Sequence, residues 1–156
     1  MAHLKPGDTA PAFELADQNG TTVRLSDFTG KKLLLYFYPR ADTPGCTRQA
    51  CSVRDARPDL TRLDIAALGV SPDPPARQKK FDDKHGLSFP LLSDPDHAAA
   101  SAYGVWDKKT LYGKVRMGIK RSSFLIDEHG IIIGAWYGVK PEDTIPRAIE
   151  ALGQER

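Results

Sequence analysis

Apolar residues in this chain gather in short blocks separated by turn-forming residues, and the length of each block sorts it into an element. "LLLYFY", Leu33–Tyr38, is a continuous apolar run between Gly30 and Pro39, and it predicts a buried strand over Lys32–Tyr38. "DIAALGVS", Asp64–Ser71, predicts a second. Ser122–Asp127 ("SSFLID") and Ile131–Tyr137 ("IIIGAWY") are strands joined through "EHG", a hairpin signal. Ala12–Leu15 and Thr22–Leu25 flank "DQNG" and predict another hairpin near the start. Leu87–Leu92 extends toward a loop at "SDPD". A helix begins at about Pro44 and should kink or break near Arg57, because Pro58 lacks the amide the helix needs. Further helices are expected over Pro74–His85, His97–Tyr103 and Pro141–Leu152, the last with proline in its first turn. Gly104–Lys120 reads as a loop.

With the first hairpin set aside, the order is strand, helix, strand, helix, hairpin, helix. Right-handed crossovers make the first two strands parallel, and the late hairpin adds an antiparallel pair. The expected fold class is α/β and thioredoxin-like: a mixed central sheet flanked by helices, with an N-terminal β-hairpin. No repeat, low-complexity tract or linker interrupts the 156 residues, so 1–156 is read as one domain with its own core. Ligand sites in such sheets lie at the carboxyl ends of the parallel strands. The stretch after Tyr38 is at such an end.

Composition narrows the classes. With 40% hydrophobic and 27% charged residues, the chain is of ordinary globular make-up. A net charge of +2 gives no argument for nucleic acid or an anionic membrane. The local basic run Lys108, Lys109, Lys114, Arg116, Lys120 and Arg121 reads as a solvated loop. "MAHLKPGDTAPAF" lacks the apolar centre of a signal peptide, and "LLLYFY" is too short to cross a bilayer. The expected location is therefore the cytoplasm, where two cysteines point to catalytic, redox or metal roles rather than a disulfide framework. A metal site is disfavoured, because His3, His85, His97 and His129 are scattered.

Both cysteines fall in "YFYPRADTPGCTRQACS". Thr43-Pro44-Gly45-Cys46 has the form of a helix start, with threonine a favoured N-cap and proline favoured at the first position. Cys46 then lies at the third helical position, where unpaired amides and the positive end of the helix dipole favour an anion. A thiol there ionises more readily, and the thiolate is the nucleophile. Packing as a small buried hydrophobe is the other reading. Arg40 and Arg48 are near in sequence, which does not say where they point. Asp42 would oppose ionisation if it faced the thiol and is expected to face solvent. Cys51 lies five residues on, about 7.5 Å along a helix axis and about 140° around it. If both cysteines share one helix, their Cα atoms are roughly 8–9 Å apart, beyond the ~7 Å reach of a disulfide. Either Cys51 only packs in the core, or it condenses with an oxidised Cys46 after local unwinding. Trp106 and Trp136 read as core or rim residues, and Tyr36 and Phe37 as facing opposite sides of the first strand.

The same residues resemble the peroxiredoxins, of the bacterioferritin comigratory protein (peroxiredoxin Q) type. The family signature of proline, three residues, threonine, two residues and cysteine is met by Pro39, Thr43 and Cys46. "GDTAPAFELADQNG", "LSDFTGKKLLLYFYP", "LLSDPDHAAASAYGVW" and "RSSFLIDEHG" also look like that group, so the resemblance spans nearly the whole chain. It implies a thiol peroxidase in which Cys46 is peroxidatic, Thr43 hydrogen-bonds the peroxide, Pro39 shields the pocket and Arg121 holds the thiolate and orients the substrate. Cys51 matches the resolving cysteine of one branch. The implied partners are a hydroperoxide and thioredoxin or a similar dithiol, with no cofactor, metal, nucleic acid or membrane, and a monomer is the expected state. Two other classes compete. A thiol–disulfide oxidoreductase would carry C-x-x-C, which is absent. A non-catalytic redox-switch module gives no reason for Thr43 and Arg121 to accompany Cys46.

Overall fold

A computed structural model describes residues 3–154. The elements run β1 (Glu14–Ala16), β2 (Thr22–Arg24), β3 (Lys32–Phe37), α1 (Pro44–Arg62), β4 (Ile65–Ser71), α2 (Pro75–His85), β5 (Leu91–Ser93), α3 (Ala98–Ala102), β6 (Trp106–Leu111), β7 (Lys114–Ile119), β8 (Ser122–Ile126), β9 (Ile132–Tyr137) and α4 (Thr144–Gln154). Seven strands form one sheet in the order β2-β1-β5-β4-β3-β8-β9. β3, β4 and β5 are parallel, and β8 and β9 add antiparallel strands on one side. The sheet is mixed and thioredoxin-like, as expected from the order of the blocks.

Alternation along β3 builds two cores. Leu33, Leu35 and Phe37 face one side with Phe13, Tyr103 and Phe124. Leu34, Tyr36 and Tyr38 face the other, against Cys46, Ala50, Val53 and Leu60 of α1, Phe81 of α2 and Ala148 of α4. Because β3 is covered on both faces it reads as a continuous apolar run, as buried parallel strands do.

Several expectations need correction. The segment Leu87–Leu92, read as extending to a loop, ends in a third parallel strand, β5, at Leu91–Ser93. The segment Gly104–Lys120 is not a loop: β6 and β7 pair as a separate two-stranded ribbon from Trp106↔Ile119 to Leu111↔Lys114. Its turn is Tyr112-Gly113, both at positive φ, the type I′ geometry that suits a hairpin twist. The helix carrying both cysteines does not break at Arg57; α1 continues past Pro58 to Arg62. Pro58 is exposed, and Val53 and Leu60 on either side are buried in one core. That packing holds the helix through a residue that costs ~3 kcal/mol in a helix interior. The N-terminal hairpin is displaced toward its turn. Its strands are Glu14–Ala16 and Thr22–Arg24, and Leu25 opens a 3₁₀ turn, Leu25–Phe28. It also joins the main sheet through Ala16↔Ser93. The closing helix begins with a 3₁₀ turn, Pro141–Asp143, before α4.

Candidate active site

β3 ends beneath Tyr38, and the chain turns through Pro39–Thr43 into α1. Thr43 is the N-cap in position, and Pro44, Gly45 and Cys46 are the first three helical residues. The threonine does not cap in the expected way. Its hydroxyl donates to the Arg40 carbonyl at 2.9 Å, and no side chain caps the helix. The amino-terminal amides of α1 therefore keep their partial positive charge beside Cys46.

Cys46 is 1% exposed and lies in the core on the α1 side of the sheet. Arg121 brings a cation to it: Nη1 donates to Cys46 Sγ at 3.5 Å and to Gln49 Oε1 at 2.8 Å. Arg121 immediately precedes β8, whose first residue, Ser122, pairs with Phe37 near the end of β3. Strand register thus delivers the guanidinium to the start of α1. Gln49 is fully buried and donates from Nε2 to Thr144 Oγ1 at 2.9 Å, which ties Arg121 and α1 to the first residue of α4. A Cβ on Gly45 would stand 2.9 Å from Arg121 Nη2, so the glycine leaves room for the guanidinium to lie across the helix start.

The remaining sequence candidates are placed as follows. Pro39 follows β3 in a trans peptide and is partly buried. Cys51 is partly buried on the same helix and packs against the core that contains Cys46, and both cysteines are free. The condition for their separation, a shared helix, is met. Neither Arg40 nor Arg48 serves the sulfur: Arg40 is exposed, and Arg48 Nε pairs with Glu142 at 3.2 Å. Asp42 faces outward as expected, with Lys84 Nζ at 3.0 Å and His85 Nε2 at 3.2 Å. The lysine first and the histidine next hold its carboxyl below the usual carboxylate range. Trp106 packs at the rim of one core and stacks on His97, with ring centroids 3.8 Å apart. Among the described residues no group of three or more His, Cys, Asp or Glu could hold a metal ion.

A buried network secures the turn from the other side. The Ala41 amide donates to Asp73 Oδ2 at 2.6 Å, and Ser71 Oγ donates to the same oxygen at 2.7 Å. Gln78 Nε2 donates to Ser71 Oγ at 2.8 Å and to the Leu92 carbonyl at 3.0 Å, while the Tyr38 hydroxyl donates to Gln78 Oε1 at 2.5 Å. Burial pushes the Tyr38 phenol well above its ordinary range, so it stays a donor. Tyr38 and Ala41 are thereby fixed, and with them the Arg40 carbonyl that orients Thr43. Sequence reasoning missed Gly45, Gln49, Asp73 and Gln78. Gln49 left one signal, a polar residue one helical turn from Cys46 on an otherwise apolar face.

Residues 6–135 match the model of the AhpC/TSA family. The chain is 47% identical over 149 residues to peroxiredoxin Bcp of Bacillus subtilis, covering 96% of this chain and 95% of that one. It is 49% identical over 132 residues to peroxiredoxin Bcp of Escherichia coli K12, covering 85% of each. A structure of the Xanthomonas campestris bacterioferritin comigratory protein, described through its alkyl peroxide reduction activity, superposes with a TM-score of 0.87 at 31% identity over 99% of both chains.

Proposed function

From the premise that the chain belongs to the AhpC/TSA family and is a peroxiredoxin of the Bcp type, a thiol-dependent peroxidase, we propose how its own residues carry the reaction. Cys46 attacks the terminal oxygen of a hydroperoxide as a thiolate. The O–O bond breaks, Cys46 becomes a sulfenic acid, and the distal fragment takes a proton and leaves as water or an alcohol. Arg121 stabilises the sulfur anion and donates to the peroxide oxygens as charge moves onto the leaving one. The Thr43 hydroxyl, its hydrogen committed to Arg40, accepts from the peroxide O–H. Pro39 closes the pocket wall at the end of β3. So covered a sulfur suits a small oxidant with an exposed terminal oxygen, and both hydrogen peroxide and organic hydroperoxides meet that need.

The second step follows from helix geometry. With both cysteines on α1, their Cα atoms are roughly 8–9 Å apart, and a disulfide needs them within ~7 Å. The first turns of α1 unwind, the Cys51 thiol attacks the sulfenic sulfur, water leaves and the Cys46–Cys51 disulfide forms. Thioredoxin or a similar dithiol then reduces it. Resolution within one chain needs no second subunit, so the working unit is a monomer, and two free thiols fit the reducing cytoplasm.

The observation that carries this reading is the Arg121 guanidinium 3.5 Å from Cys46 Sγ at an uncapped helix start. Steady-state turnover with thioredoxin as reductant tests it. The unmodified chain should consume hydrogen peroxide and an organic hydroperoxide, and Cys46→Ser should consume neither. Undiminished turnover in Cys46→Ser would refute it.

A further inference from the structure

The β6–β7 ribbon stands apart from the seven-stranded sheet, tied down at its base. Ile119 is buried in the core and Trp106 packs against it, and the Lys120 amide donates to the Val105 carbonyl at 2.8 Å. Beyond that base the register sets Lys108 opposite Met117 and Thr110 opposite Val115 on one face, with Lys109 opposite Arg116 on the other. Tyr112 at the tip is 94% exposed, Val115 61% and Met117 47%. Three of the five large hydrophobic side chains exposed among the described residues thus share this arm. Lys108 shares the face of Val115 and Met117, Lys109, Lys114 and Arg116 lie on the other face, and Asp107 is the one acid between Trp106 and Arg121, so the arm as a whole is basic. A projecting basic arm that exposes Tyr112, Val115 and Met117 offers apolar contact and positive charge to a partner.

The arm also leads to the thiol. β7 ends at Ile119, and Arg121, two residues on, touches Cys46 Sγ. Lys109 turns inward and is partly buried. Burial and then Arg121 push its ammonium down, while Cys46 acts the other way.

We propose that the β6–β7 arm is the docking surface for the protein dithiol that reduces the Cys46–Cys51 disulfide, a partner whose contact surface is apolar and rimmed by acidic side chains. This rests on the peroxidase reading above. Charge selects the occupant. A second copy docked through the same face would set basic arm against basic arm, and like charges across an interface are unfavourable. The arm belongs to no part of α1, so it remains in place when the helix start unwinds to form the disulfide. In the exchange, a partner thiolate attacks one sulfur of the disulfide. The enzyme's S–S bond breaks, a mixed disulfide forms, and the other enzyme cysteine leaves as a thiolate. The partner's second thiol loses its proton and attacks the mixed disulfide, releasing the remaining cysteine. Two electrons pass to the enzyme, and the partner departs as its own disulfide.

Turnover of hydrogen peroxide measured with an acidic thioredoxin, and separately with dithiothreitol, tests the proposal in the unmodified chain, in Lys114→Glu/Arg116→Glu and in Val115→Ser/Met117→Ser. Each double variant should raise the KM for thioredoxin about tenfold or more, a loss of about 1.4 kcal/mol of binding. Turnover supported by dithiothreitol should stay within about twofold, which also shows that the site is intact. Added salt should raise the thioredoxin KM of the unmodified chain and have a weaker effect on the charge-reversed one. Thioredoxin kinetics unchanged in both variants would overturn the proposal, as would a concentration-dependent dimer of the unmodified chain that the variants dissociate. No turnover of the unmodified chain with either reductant would overturn the peroxidase reading itself, and the docking proposal with it.

Discussion

A methyl group on Gly45 would meet Arg121 Nη2 at 2.9 Å, and that atom is the far end of a flexible side chain. The fold can yield there, and under the proposed mechanism the reaction would feel the shift. Gly45→Ala should leave the melting temperature within about 3 °C of the unmodified chain, the equivalent of about 1 kcal/mol. It should slow the reaction of Cys46 with hydrogen peroxide by between about tenfold and a hundredfold, because displacing the guanidinium misplaces a donor at the reacting atoms. Stopped-flow oxidation of the reduced protein checks this, and an unchanged rate would mean that Arg121 need not lie where it does. The strand before Cys46 and the helix start that carries it were legible in the sequence because both are local patterns, whereas roles for Thr43 and Pro39 came only from the family resemblance. Arg121 was legible only through the family resemblance, since nothing local tells a guanidinium 75 residues away to approach a thiol. Gly45 and Gln49 stayed hidden for the same reason: their roles are defined by the side chain that arrives from β8.

At the scale of elements, the turn between β3 and α1 is held from two sides. Gln49, Arg121 and Thr144 tie the helix start to β8 and α4. Asp73, two residues past the end of β4, holds Ala41. If Cys51 resolves Cys46 as proposed, the unwinding of α1 has to break these clasps. Asp73→Ala removes one and leaves the buried Ala41 amide without its acceptor, a loss of about 1–3 kcal/mol from the closed arrangement. The two chemical steps should then move in opposite directions. Oxidation of Cys46 slows because the closed site is less populated. Disulfide formation speeds up, and overoxidation of Cys46 at high peroxide falls. Rapid-quench mass analysis separates the two, and slowing of both would show that Asp73 serves global stability alone. The sequence foresaw β3, β4, β8 and β9, where apolar runs are bounded by turn residues, but it showed Leu87–Leu92 only as extended chain and missed β5, three residues too short to show a pattern. Of the kink or break expected near Arg57, the break does not occur, because packing of Val53 and Leu60 holds the helix through Pro58. Sequence reasoning also misread Gly104–Lys120, where charge masked the alternation of Val115, Met117 and Ile119 and the Tyr112-Gly113 turn.

For the whole molecule, two cores share one sheet, and β3 contributes alternate residues to each. Neither can be lost without exposing a face of the same strand. Calorimetry should accordingly show one unfolding transition with equal calorimetric and van't Hoff enthalpies, as for a single domain, and two separable transitions would contradict this. Oxidation should act locally within that frame by unwinding the start of α1 while the sheet persists. No helix among the described residues is long and apolar enough to cross a membrane. The most direct measurement is the intact mass of the reduced chain after one equivalent of hydrogen peroxide, in the unmodified protein, Cys46→Ser and Cys51→Ser. The account predicts rapid loss of two hydrogens in the first, no change in the second, and addition of one oxygen at Cys46 in the third. A Cys46→Ser chain that still loses thiols at the original rate would contradict it.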